Sequence, residues 1–193
     1  MSLTDRLWGV IFNPVATMRQ LTVQKPLGEG IFLYAAVLSI VMVINQGIDM
    51  LRPIEEVLSV PTNFIWLLLA MGIIFSLFLL LISAGFLSLI SEIIYKRGNS
   101  LGLLVGFCFS ILPGAFGPLL QYGSVLMGLS WLGVFFSIIS MTWVVVLQII
   151  AVKTALSLST RQALFLYFSP LLLLAVIAIT FTLLMVSSIP QLG

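Results

Sequence analysis

Histidine is absent from this 193-residue chain, cysteine occurs once, and only 7% of the residues are charged. Each shortage excludes a class of chemistry. Without histidine the commonest metal ligand and general base is missing, and no Ser–His nucleophilic pair can form. The numerous serines therefore read as helix-packing and hydrogen-bonding groups. The lone Cys108 cannot form an intramolecular disulfide. It lies in an apolar run with no cationic neighbour, which describes an inert thiol rather than a nucleophile. No Gly-rich phosphate loop ends in Lys-Ser or Lys-Thr; Gly114 and Gly117 flank Ala115 and Phe116 with no lysine nearby. The expectation is a chain that is not an enzyme and carries no cofactor or metal. A net charge of +2 is too small to imply nucleic acid. The amphipathic start, interrupted by Pro14 and Pro26, does not resemble a cleavable signal peptide.

Apolar residues are what the chain has in excess. They make up 61% of it, with a mean hydropathy of +1.27, against about 45–50% in a soluble domain. Long uncharged runs make a polytopic, all-α membrane bundle the expected fold, in one domain over residues 1–193. Residues 2–24 read as two short amphipathic helices lying in the membrane interface or packed as a lid on the spans. Ser2 and Asp5 have capping-box spacing, and Asn13-Pro14 restarts the helix. Five spans follow, at about 29–51, 63–95, 101–123, 131–156 and 162–187. The second is too long for a straight crossing of a ~30 Å hydrocarbon layer. Glu92 and Lys96 at its end are spaced to pair, with Gly98 as C-cap and Asn99 or Ser100 as the next N-cap. Five spans do not divide into two equal inverted halves, the usual transporter plan.

The third span is the least regular. Gly102, Gly106, Ser110 and Gly114 recur every four residues, and Pro113, Gly117 and Pro118 break the run. These seven residues form either a groove for close helix packing or the wall of a cavity. The break needs other helices, serines or water to satisfy its freed carbonyls. Four polar residues are further candidates. Glu92 reads as a surface partner of Lys96, with a membrane-embedded functional acid as the alternative. Asp49 reads as an interfacial partner of Arg52. Asn45 and Gln148, with Gln46, read as hydrogen-bonding glue inside the bundle. Trp8, Trp66 and Trp131 fall near the interfaces, and Trp143 deeper, as packing.

Arg6, Arg19, Lys25, Lys96, Arg97, Lys153 and Arg161 fall on one side of this topology, and Arg52 alone on the other. By the positive-inside rule the N-terminus is expected in the cytoplasm and the C-terminus outside.

Several short features together carry a resemblance: Phe12-Asn13-Pro14, Pro26 before the first span, the turn Arg97-Gly98-Asn99-Ser100, Leu112-Pro113, Trp143, and Arg161-Gln162-Ala163-Leu164. Over about residues 10–185 the chain resembles the Yip family of five-span membrane proteins, in its short bacterial form. The resemblance implies a membrane-resident scaffold or adaptor in the bacterial inner membrane. Its eukaryotic relatives are linked to Rab-type GTPases, trafficking and membrane shaping. The chain lacks their long cytosolic N-terminal region, and Gly98-Asn99 stands where bacterial turns often have a glycine doublet. Both departures argue against direct GTPase binding. The leading expectation is a non-enzymatic membrane protein whose partners are the lipid bilayer and either its own copies or other membrane proteins. The alternative is a small transporter, channel or lipid-handling protein with a cavity at the broken third span.

Overall fold

The computed structural model describes residues 2–51 and 62–188, and the described residues contain helices and turns but no strand. Two short helices, α1 (Leu3–Phe12) and α2 (Pro14–Gln24), precede α3 (Leu27–Leu51) and α4 (Thr62–Tyr95). Then come α5 (Ser100–Ser110), a 3-10 turn (Leu112–Ala115), α6 (Phe116–Leu126), α7 (Ser130–Ala155) and α8 (Thr160–Ser188). Five stretches are long and apolar enough to cross a membrane: α3, α4, the α5–α6 unit, α7 and α8. The protein is therefore an integral membrane bundle.

Local signals set the helix ends. At the start of α1 the Ser2 hydroxyl accepts from the Asp5 amide at 3.2 Å, and the Asp5 carboxylate accepts from the Ser2 amide at 3.0 Å. Hydrogen bonding of the Asp5 carboxylate to Ser2, through its side chain first and its backbone amide second, holds the Asp5 carboxyl below its ordinary value of 3.8. Pro14 opens α2, where its missing amide proton has no cost. A second capping box starts α8: Ser159 and Gln162 exchange amide-to-side-chain bonds at 3.0 and 3.4 Å.

One end of the bundle gathers α1, α2, the start of α3, the α4–α5 turn and the α7–α8 turn. Arg6 of α1 forms an ion pair with Glu29 of α3, and also donates to Gln24. Arg97 donates to the carbonyl of Ser157, and Asn99 to that of Ala155. At the far end α3 approaches α6, where a Cβ on Gly47 would lie 3.4 Å from Tyr122. Exposed Trp8 marks the first end and exposed Trp66 and Trp131 the other. Trp143, expected to be packing, is 39% exposed and faces partly outward.

The core sits at the basic end, with α5 at its centre. Every residue of α5 from Gly102 to Ser110 is buried, among them Leu103, Val105 and Phe109 at 0%. The helix is enclosed by α2, α3, α4 and α7. α2 packs as a lid on the bundle: Met18 and Leu21 are buried against the core, while Val23 remains exposed. On α1 the buried side chain is Val10, with Leu7 half-buried, while Leu3 and Trp8 are exposed. The α1–α2 crossing is close enough that a Cβ on Gly9 would strike Thr17 Oγ1.

Two expected details change. The third span continues through α6 to Leu126 rather than ending at 123, because Pro118 falls within the first turn of α6, where no intrahelical donor is needed. The C-cap of α4 is Lys96 rather than Gly98: Lys96 takes the left-handed conformation at φ 58°.

Candidate functional site

Three places bring chemistry-bearing residues together. The first is a polar cleft at the basic end. One lobe, of about 370 Å³, is lined by Lys25, Ser88, Glu92, Lys96, Asn99 and neighbouring backbone. The adjoining lobe, of about 490 Å³, shares Lys25, Lys96, Gly98 and Asn99 and adds Arg97 and Ser157. Helix ends build it. Lys25 closes α2 and Lys96 closes α4, both in left-handed backbone, and Ser157, in the same conformation, follows α7. Asn99 ties the junction: its Oδ1 accepts from Gly102 at 3.1 Å, its Nδ2 donates to Ala155, and its amide donates to Ser88 Oγ at 3.0 Å. Glu92 lies over the turn, where a Cβ added to Gly98 would sit 3.0 Å from its Oε2.

The second is the break in the third span. Pro113 carries no amide proton, and the chain passes through one 3-10 turn before α6 restores α-helical geometry. Ser140 of α7 repairs the interruption from the side. Its hydroxyl donates to the Pro113 carbonyl and accepts from the Gly117 amide at 3.2 Å. The glycines admit α7 at close range. A Cβ on Gly106 would lie 2.7 Å from that of Ala151, one on Gly114 3.4 Å from Val144, and one on Gly117 3.2 Å from the Ser137 backbone. Gly102 is filled from its own side, by Asn99. Ser110 bonds back to the Phe107 carbonyl at 2.8 Å, and Pro118 is half-buried in α6.

The third is a lateral groove of about 340 Å³ between α4, α5, α7 and α8. Phe86, Leu87 and Phe107 form its apolar wall, and Gln148 accepts a hydrogen bond from Tyr167 beside Pro170. Pro170 leaves the Leu166 carbonyl without its helical donor, and the Ser169 hydroxyl supplies one at 2.7 Å.

The Yip1 domain family profile matches residues 8–182 of this chain. The chain belongs to the Yip1 domain family. No curated protein and no solved structure matches it. In this Yip1-domain bundle the short features noticed in the sequence mark junctions. Asn13-Pro14 joins α1 to α2, Leu112-Pro113 enters the 3-10 turn, and Gln162 caps α8.

The polar candidates do not all meet. Glu92 and Lys96 form no ion pair; among the described residues the ion pair found is Arg6–Glu29. The left-handed turn at Lys96 ends the helix, so the two side chains no longer share one helical face. Asn45 and Gln148 do not pair either. α3 runs away from the basic end and α7 towards it, so the two sit at different depths. Asn45 is exposed, and Gln148 bonds Tyr167 instead. The Asp49–Arg52 pair lies outside the described residues. Sequence reasoning passed over Ser140 and Tyr167 as site residues, and read Asn99 as no more than a helix cap and Lys25 as no more than one of the basic residues that set orientation. Only Asn99 carried a positional signal, its place before a helix; the others act through contacts between distant segments.

Proposed function

We propose that this Yip1-domain protein is a non-enzymatic membrane scaffold or adaptor, assembling with its own copies or with other membrane proteins. The observation that carries the reading is the filled break. The most irregular stretch of the chain, where a permeation or catalytic cavity would be expected, is occupied by its own α7, with Ser140 bonding the Pro113 carbonyl and the Gly117 amide. What remains for interaction is outer surface: α4 and α8 present long apolar faces, from Phe64 to Ile82 and from Leu171 to Leu184. The Yip1 family is not known for enzymes, which supports the same reading. We further assign the basic end, with seven of the eight Lys and Arg residues, to the cytoplasmic face of a bacterial inner membrane, and the C-terminus to the outside. A C-terminal alkaline phosphatase fusion should be active; an inactive fusion beside an active cytoplasmic reporter reverses the orientation.

Extraction into nanodiscs and native mass spectrometry should return a discrete assembly. Reconstituted vesicles should show no solute flux or lipid scrambling above empty ones. A lone monomer with scrambling activity overturns the proposal and favours the second reading, a lipid-handling protein. That alternative has its own supporting observation in the lateral groove, where Gln148 and Tyr167 place a polar pair within an apolar wall.

A further inference from the structure

The cleft at the basic end is left unused by the scaffold reading, and its chemistry is specific. Three cations reach it from two segments: Lys25 from the end of α2, and Lys96 and Arg97 from the α4–α5 turn. Arg97 is engaged with the Ser157 carbonyl. Lys25 and Lys96 have no ion-pair partner among the described residues. Their left-handed backbone, at φ 50° and 58°, turns both off their helices at the cleft. Ser100 and Leu101 also line it, and as first-turn residues of α5 their amides have no acceptor within the helix. Glu92 is the opposing charge, leaving an excess of two positive charges among the lining groups. The cleft lies where the spans end, at the depth of lipid headgroups.

We propose that this cleft binds a phosphate-bearing anion, presented by the headgroup of an anionic phospholipid. The two lysines and Arg97 supply the charge, the α5 amides supply donors, and Glu92 limits affinity by repulsion. The site is independent of the scaffold reading: a monomer could hold it, and an assembly could lack it.

The test reconstitutes the full chain in phosphatidylcholine vesicles. Electron spin resonance then reads how much spin-labelled phosphatidylglycerol is immobilised, relative to spin-labelled phosphatidylcholine. Lys25→Asn and Lys96→Asn remove charge but keep a residue that tolerates left-handed backbone, so folding is preserved. Each should reduce the preference for phosphatidylglycerol about fivefold. Glu92→Gln should raise it, an effect that a purely structural carboxylate would not give. Arg161→Gln, at the same end but outside the cleft, should leave it unchanged. Excess inorganic phosphate that displaces the labelled lipid assigns the site to phosphate from either source; failure to displace it assigns the site to the headgroup. The proposal is overturned if phosphatidylglycerol is not preferred and phosphate has no effect. It is also overturned if the lysine variants bind as the parent does, or if Arg161→Gln weakens binding as much as they do, since diffuse surface charge would then suffice.

Discussion

α4 and α5 are both apolar spanning helices, yet they occupy opposite situations. The most apolar window of α4 has a mean hydropathy of 2.7 and is 6% buried within the chain; for the α5–α6 unit the values are 2.0 and 61%. The more hydrophobic span is therefore the one left outside. In water that order would be reversed. In a bilayer, lipid tails are as apolar as leucine, so hydrophobicity does not sort helices into core and periphery. Close packing and polar satisfaction do the sorting. α5 has Gly102, Gly106 and Ser110, and α7 meets it with Ala151; α4 has Phe75, Phe78 and a row of leucines directed outward.

The sharpest way to break this contrast is to put the same side chain at a glycine on each helix. Gly106→Leu forces a branched side chain into a site where the Cβ alone would stand 2.7 Å from Ala151. The expected loss is about 3 kcal/mol, from overpacking against a neighbouring helix. Gly85→Leu on α4 meets open space within 4 Å and should change stability by no more than about 0.5 kcal/mol. Reversible unfolding in mixed detergent micelles measures both; equal losses would remove the distinction between the two helices.

A smaller effect is expected at the break. Ser140→Ala leaves the Pro113 carbonyl and the Gly117 amide without their shared partner, for a loss of about 2 kcal/mol. Ser83→Ala on α4, whose hydroxyl only bonds back to the Leu79 carbonyl, is the matched control. If Ser140→Ala costs no more than Ser83→Ala, the break does not depend on α7.

The smallest effect is expected at the exposed start of α1. The carboxyl of Asp5 titrates below its ordinary value in the folded chain. Its capping contribution is therefore complete above about pH 4 and is lost as the pH falls through the lower folded value. Amide exchange in the first turn of α1 should accelerate below that pH while α5 stays protected. Asp5→Asn should remove the pH step; a step that persists places its origin elsewhere.

How far the sequence could be read follows from these residues. The four-residue spacing from Gly102 to Gly114 announced that a helix could come close, but not that it would be the chain's own α7. The need for a serine at the Pro113 break was legible, whereas the choice of Ser140, 27 positions away, was not. Asn45 and Gln148 look equally suited to a polar cluster until the directions of α3 and α7 put them at different depths. Glu92 and Lys96 have ideal helical spacing, and the pairing fails because the helix ends between them.

By itself the sequence determined the five spans, the basic end and the helix starts at Ser2 and Asn13-Pro14. These depend on the length of apolar runs and on hydrogen bonds within a turn, both local properties. Only the tertiary structure decided that α5 is the core, that Ser140 closes the break, and that Lys25, Lys96 and Arg97 converge on one cleft. Lipid and bundle interior are alike in polarity, so shape and a few long-range hydrogen bonds choose among arrangements that hydropathy leaves equivalent.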